Sequence, residues 1–180
     1  MSHADPLEHD WFPLGVPANV RIGERSWVYS SYAFLHYRSQ AAQGVEIGAD
    51  TGVYQGTFFD LAQTGTVRIG NHCLIVAAIF STSSHIEIAD YAMLSHDVVL
   101  ADGFAAAPWP EHGAGPRPAP QASPASIFVG ENCWIGARAT LLAGAHLEEG
   151  VIVGAGCVVN FRAPAHSVLA GNPAHVVGTT

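Results

Sequence analysis

The tetrapeptide Ser95-His96-Asp97-Val98 contains the most promising proton acceptor in the chain. An imidazole titrates close to neutral pH without help from its surroundings, so His96 qualifies as a general base by residue type. The neighbouring Asp97 is a candidate to fix the ring tautomer and to stabilise the imidazolium, although a solvent-facing carboxylate is the alternative. Ser95 is a candidate for a polar contact to an acceptor or an oxyanion, against the plainer reading of a small corner residue. Ten histidines occur in the chain, so residue type alone does not single out one of them. His112 is a reserve candidate, and His72, His85 and His146 read as surface corner residues.

The position of His96 within a repeat separates it from the others. Apolar residues recur every sixth position at Ile22, Val28 and Phe34, at Ile47, Val53 and Phe59, and at Ile69 and Ile75. The beat continues through Ile88, Leu94 and Leu100, then Val129, Ile135, Leu141, Leu147, Val153 and Val159. The next residue is often Gly or Ala, and the residue four after the beat is small or β-branched. Short periods of this kind mark solenoids, and three six-residue strands close one triangular coil of a parallel β-helix. The aliphatic fills the prism, and the small residue four on faces the crowded interior of a corner. Six coils are expected, opening at Ile22, Ile47, Ile69, Ile88, Val129 and Leu147.

Counting two residues past the second beat of each coil gives Ser30, Gln55, Ala77, His96, Ala137 and Ala155. On a stacked prism these form one outward column. Beyond His96 the column holds only alanine, a smooth strip on which a long thin cofactor arm could lie and present its reactive end to the histidine. One residue earlier the column reads Tyr29, Tyr54, Val76 and Ser95, so two aromatics precede His96 as a possible platform for a ring, or as packing partners across a subunit contact.

The beat has faults. Ser81 falls where an aliphatic belongs, and short insertions are expected at 36–44 and 61–66. Residues 103–126 carry six of the eleven prolines and read as a loop thrown out of coil four. The organisation expected is an N-terminal extension (1–19), a β-helix domain (20–160) with that loop, and a tail (161–180). Formal charge is −8 and all seven basic residues are arginine, with no basic run, which argues against nucleic acid. No stretch suits a membrane span, and the first ten residues resemble no signal peptide, so a cytoplasmic protein is expected. Cys73, Cys133 and Cys157 occupy the small inward position and read as core filler.

The segment VGENCWIGARATLLAGAHLEEGVIVGAGCVV (129–159), followed by APAHSVLAGNPAHVV (163–177), resembles the hexapeptide-repeat acyltransferase family. The repeat covers about residues 20–177, and AGNPA at 170–174 is the more specific motif. The resemblance implies an all-β, left-handed parallel β-helix and a homotrimer with active sites between prisms. It also implies acetyl-CoA or another acyl-CoA as co-substrate and no metal. Ser95-His96-Asp97 is similar to the His-Asp or His-Asn pair of the UDP-sugar acyltransferases of lipid A synthesis and of some aminosugar N-acetyltransferases. The resemblance implies His96 and Asp97 as catalytic residues. It implies Gly136, Ala137, Gly154, Ala155, Arg162 and His175 toward the cofactor, with Arg138 an alternative for its phosphates. Tyr29, Tyr54 and Ser95 fall on the acceptor side. The maltose and galactoside branch places its catalytic histidine in the loop after the strand at 98–100, where this chain has Ala105, Ala106 and Ala107. That branch's sugar specificity is therefore not carried over.

The function expected is transfer of an acetyl or other short acyl group to a hydroxyl or amino group of a small, sugar-like acceptor. Two other classes are open: an inactive β-helix scaffold, suggested by Ala105–Ala107, and a γ-type carbonic anhydrase on the same helix. The last needs zinc-binding histidines spaced five apart, and no His-x-x-x-x-His occurs.

Overall fold

The structure, a computed structural model, describes residues 7–102 and 126–180. The repeat closes into a parallel β-helix of three faces. The first stacks Val20–Ile22, Val45–Ile47, Thr66–Ile69, His85–Ile88, Ile127–Val129, His146–Leu147 and Arg162–Ala163 in that order. The second stacks Trp27–Val28, Gly52–Val53, Leu74–Ile75, Met93–Leu94, Trp134–Ile135, Ile152–Val153 and Ser167–Ala170. The third stacks Phe58–Leu61, Ile79–Thr82, Val99–Ala101, Thr140–Leu142 and Val158–Val159. In coil one a 3-10 turn, Ser31–Phe34, stands in for the third strand. Seven strands on the first face make six coils and a partial seventh, one strand pair beyond the expected count.

Every beat residue from Val28 onward is buried, and the core is one continuous column of aliphatics with a phenyl ladder on the third face. Phe34, Phe59 and Phe80 stack at centroid spacings of 5.1 Å with interplanar angles of 10° and 11°. Phe80, not Ser81, fills the third-face beat of coil three, paired in register with Phe59 and Leu100. Truncating Phe80 to alanine would open the ladder at a cost of about 3–5 kcal/mol. The inward small residues do more than fill space. Ser26 Oγ donates to Gly48 O (2.6 Å), Thr51 Oγ1 to Gly70 O (2.8 Å) and Cys133 Sγ to Glu148 O (3.1 Å), each tying its coil to the next. The three cysteines are buried and free, and burial pushes the Cys133 thiol up to about 11.

At the N-terminal end, Asp10 binds the segment before the first coil to the prism. Its carboxylate accepts from Ser30 Oγ (2.7 Å), Ser31 N (2.8 Å) and Phe12 N (3.0 Å). Burial alone would raise its pKa, but the hydrogen bonds from Ser31, Ser30 and Phe12 outweigh that and hold it at about 2. His9 stacks on Trp27 at 3.9 Å and reaches Val28 O at 2.9 Å. At the other end His175–Thr179 returns antiparallel to Ser167–Ala170, which closes the last edge of the second face. His85 and His146 stand on first-face strands rather than at corners, and His146 stacks on Phe128 at 4.7 Å.

Candidate active site

The corner between the second and third faces forms one edge of the prism, and most of the candidate residues lie along it. Backbone hydrogen bonds set the column register. Tyr54 N donates to Ile75 O, Val76 N to Leu94 O, Ser95 N to Ile135 O and Gly136 N to Val153 O. Tyr54, Val76, Ser95 and Gly136 are therefore stacked, with Tyr29 below them and Gly154 above. The following column carries Gln55, His96, Ala137 and Ala155. Next come residues with positive φ: Gly56 (+85°), Ala77 (+50°), Asp97 (+59°), Arg138 (+59°) and Gly156 (+69°).

Ala77 thus belongs to the left-handed column and not to the His96 column. A Cβ built on Gly56 would stand 2.9 Å from the Ala77 Cβ, which shows how directly the two stack. Coil three has one residue between Val76 and the inward Ala78, where its neighbours have two. The missing residue is the one that would stand between Gln55 and His96. This also explains the early beat at Phe80. It leaves Thr57, the inward residue of the preceding coil, in a disturbed setting. Its Oγ1 is buried and has no hydrogen-bond partner among the described residues, unlike Thr51 at the regular corner.

N-terminal to this short corner the edge opens into a cavity of about 290 Å³. Trp11, Tyr29, Tyr32, Tyr54 and Phe58 supply its aromatic walls, and Ser30 and Gln55 supply polar atoms. Tyr32 packs edge-on to Phe12 and Phe58 at 5.0 and 5.5 Å, so the wall is held by its neighbours. The sequence marked Tyr29 and Tyr54. Trp11 and Tyr32 gave no signal, because they come from the irregular segment and the 3-10 turn, outside the repeat.

C-terminal to the short corner stands His96, exposed, followed by Ala137 and Ala155. The backbone N–H groups of Ala137 and Ala155 donate to no other group among the described residues. Asp97 lies 3.8 Å from Arg138 Nε across one rung, and no hydrogen bond joins it to the His96 ring among the described residues. The tail continues the edge. Gly171 O accepts from Val158 N and Ala174 N donates to Val158 O, so AGNPA folds over the last coil at this corner. The His175 ring lies against Gly171, where an added Cβ would meet it at 3.1 Å.

Arg162 stands elsewhere. It is on the outer side of the first face, with Nη2 2.7 Å from Glu148 Oε1. That guanidinium and the Ala165 N–H hold the Glu148 carboxyl below its usual range. Within one prism Arg138, not Arg162, is the arginine of the edge. His112 and Ala105–Ala107 lie outside the described residues. No group of three or more His, Cys, Asp or Glu is placed to hold a metal ion among the described residues. No helix is long and apolar enough to cross a membrane among those residues.

Residues 126–160 match the family model described as bacterial transferase hexapeptide (six repeats). A protein of Staphylococcus aureus (strain COL) named as an acetyltransferase is 43% identical over 51 residues, 28% of this chain and 26% of its own length. The 2,3,4,5-tetrahydropyridine-2,6-dicarboxylate N-acetyltransferase of Staphylococcus aureus (strain JH9) is 41% identical over 64 residues, 36% of this chain and 26% of its own. The chain thus matches about a quarter of the length of these curated relatives. Among solved structures, a point mutant of AntD, an N-acyltransferase from Bacillus cereus in complex with dTDP and coenzyme A, superposes with TM-score 0.63 at 17% identity. That match covers 88% of this chain and 83% of AntD. A maltose O-acetyltransferase from Clostridium difficile 630 gives 0.52 at 19% identity, over 88% and 68%. The fold is a left-handed parallel β-helix. Residues 126–160 thus carry the hexapeptide repeat that the family model describes.

Proposed function

We propose that the protein is an acyl-CoA-dependent acyltransferase that moves an acetyl or other short acyl group to a hydroxyl or amino group of a small acceptor. The observation that carries this reading is the order along one edge: an aromatic cavity, then His96, then a strip of Gly136, Ala137, Gly154 and Ala155. Two substrates meeting at one base need two unlike surfaces on either side of it. The pantetheine arm of the cofactor lies along the strip, with an amide carbonyl accepting from the free N–H of Ala155. His175 and Arg138 stand near its outer end, and Arg162 joins them only if a neighbouring prism supplies it.

In the reaction, His96 takes the proton from the acceptor's hydroxyl or amino group as that group attacks the thioester carbonyl. The acceptor is itself the nucleophile, so no serine or cysteine is acylated. The Ala137 N–H, one rung beyond His96, is the donor placed to hold the oxyanion. Collapse of the tetrahedral intermediate expels the CoA thiolate, which takes up the proton held by the His96 imidazolium and leaves the base neutral. Tyr29, Tyr54 and Ser95 face the acceptor, and Asp97 orders Arg138.

The active unit is a homotrimer. The outward residues of the second face are Trp27, Gly52, Leu74, Met93, Trp134, Ile152 and Val168, an unbroken apolar stripe in which Trp27, Met93 and Trp134 are exposed. The first face instead carries Arg21, Glu46, Arg68 and Glu87. A second prism seated on the apolar stripe adds a wall beside the His96 edge. Calorimetric titration with acetyl-CoA and CoA tests the reading, with one site per chain expected. Absence of binding by the light-scattering trimer would refute it, and a monomer at micromolar concentration would remove the second wall.

A further inference from the structure

The cavity at coils one and two and the short corner of coil three together define what can reach His96. None of the residues that line the cavity is cationic; the chain has no lysine, and Arg25 at another corner is bonded to Asp50 at 2.6 Å. The charge directly behind the lining is negative. Asp10 accepts from the cavity residue Ser30 and stays ionised at neutral pH, in a chain of formal charge −8. A phosphate brought here would meet no counter-charge from the lining among the described residues, and one fixed carboxylate. The walls are aromatic faces with Ser30 and Gln55 at their margin, suited to a ring that stacks on one side and hydrogen-bonds at its rim. The volume, about 290 Å³, lies at the small end of ligand sites, which begin at about 300 Å³, and suits one ring and its substituents.

Coil two and coil four are two rungs apart, about 10 Å at the inter-strand spacing. In a regular prism a side chain from coil three would stand in that interval on the His96 column. Here coil three has no residue on that column: Val76 stands in the column before it and the Ala77 methyl group in the column after. That vacant place on the column lies between the cavity, which ends at coil two, and the base.

From this we infer that the cavity is the acceptor's ring subsite, that it takes a single uncharged or cationic ring bearing hydroxyl or amino groups and no phosphate, and that the shortened corner at Val76–Ala78 is the passage from that subsite to His96. The inference rests on the acyl-transfer reading for its destination, but not for the cavity's selectivity.

The test uses methyl glucosaminide, a cationic single ring, and UDP-glucosamine, which adds a diphosphate. Titrated against the full chain and followed by tryptophan fluorescence, the glucosaminide should quench saturably, and Trp11→Phe should abolish the signal. UDP-glucosamine should bind at least tenfold more weakly. Equal or tighter binding of the nucleotide sugar, or no response to the glucosaminide, overturns the subsite. For the passage, one glutamine inserted between Val76 and Ala77 restores the regular corner. It should leave CoA binding by calorimetry unchanged and lower kcat/KM for acetyl transfer to the glucosaminide at least tenfold. Unchanged kcat/KM overturns the passage. Ala77→Leu fills the same space if the insertion fails to fold, and the same outcomes decide. Glucosaminide binding without any CoA binding would refute the acyl-transfer reading and the passage with it, and leave the ring subsite standing.

Discussion

North and south of His96 the same edge of the same repeat carries opposite surfaces. Toward the N-terminus stand Tyr29, Ser30, Tyr54 and Gln55, then a corner one residue short. Toward the C-terminus stand Gly136, Ala137, Gly154 and Ala155 in regular register. The inward residues of the two halves are alike, because every coil must fill the same triangular section. Only the outward corner positions are free to differ without unpacking the core. In such a prism the chemistry is therefore written on the corners, and a departure from regular coil length there is informative in its own right.

The largest effect should come from the residue at the junction. His96→Ala should lower the acyl-transfer rate by about 10²–10⁴, with CoA affinity unchanged within a factor of two or so, since the strip that holds the cofactor begins one rung further on. The measurement is kcat alongside a CoA titration of the same variant. A larger loss in a His112→Ala variant than in His96→Ala would move the base off the edge and end the comparison between its halves.

Next in size is the C-terminal half. Ala137→Phe should fold and assemble as the wild type does, because the side chain points away from the interior. It should bind CoA at least tenfold more weakly, a loss of about 1.4 kcal/mol or more. Its affinity for methyl glucosaminide should not change. Equal losses for both ligands would mean that the two halves are one site.

These contrasts show what can be read from the sequence. The period of six, the prism, its buried column and the buried cysteines follow from spacing alone, since each coil repeats one steric problem. The strip Ala137–Ala155 and its alignment with His96 were legible for the same reason. Ala77 was misplaced, because counting from the beat assumes equal corners and coil three is short. The shift shows only when Phe80, rather than Ser81, is seen to complete the phenyl ladder. The cavity was half legible: Tyr29 and Tyr54 sit on the repeat, whereas Trp11 and Tyr32 come from segments with no period to count. Arg162 was grouped with the edge by the tail motif, but its strand belongs to the first face, where it pairs with Glu148.

A smaller effect tests the N-terminal half as a built structure. Asp10 has a folded pKa of about 2, below its ordinary value. The stabilisation it gives is therefore present above the unfolded pKa of about 3.9 and lost as pH falls through about 2. Asp10→Asn should cost about 1 kcal/mol at pH 7, less than the full linkage value because the carboxylate is only partly withdrawn from water. The difference from wild type should vanish at pH 2 or below. It should also loosen glucosaminide binding and leave CoA binding alone. Thermal unfolding followed across pH, with both ligand titrations, checks all three.

The smallest effect, and the sharpest on the short corner, compares two threonines at equivalent inward positions. Thr51 Oγ1 donates to Gly70 O at 2.8 Å, with a longer contact to Ala49 O at 3.3 Å, and accepts from Cys73 N at 3.0 Å, so Thr51→Val deletes all three and strands the buried Cys73 N–H. That should destabilise by about 1–3 kcal/mol. Thr57 is buried just as deeply, but its Oγ1 is unpartnered beside the shortened coil. Thr57→Val replaces a desolvated hydroxyl by a methyl group of the same shape and leaves nothing newly unsatisfied. It should be neutral or stabilise by up to about 1 kcal/mol. Denaturant midpoints of the two variants decide the matter. If Thr57→Val were as costly as Thr51→Val, the Thr57 hydroxyl would have a partner in solution, and the missing residue of coil three would not be what sets the two threonines apart.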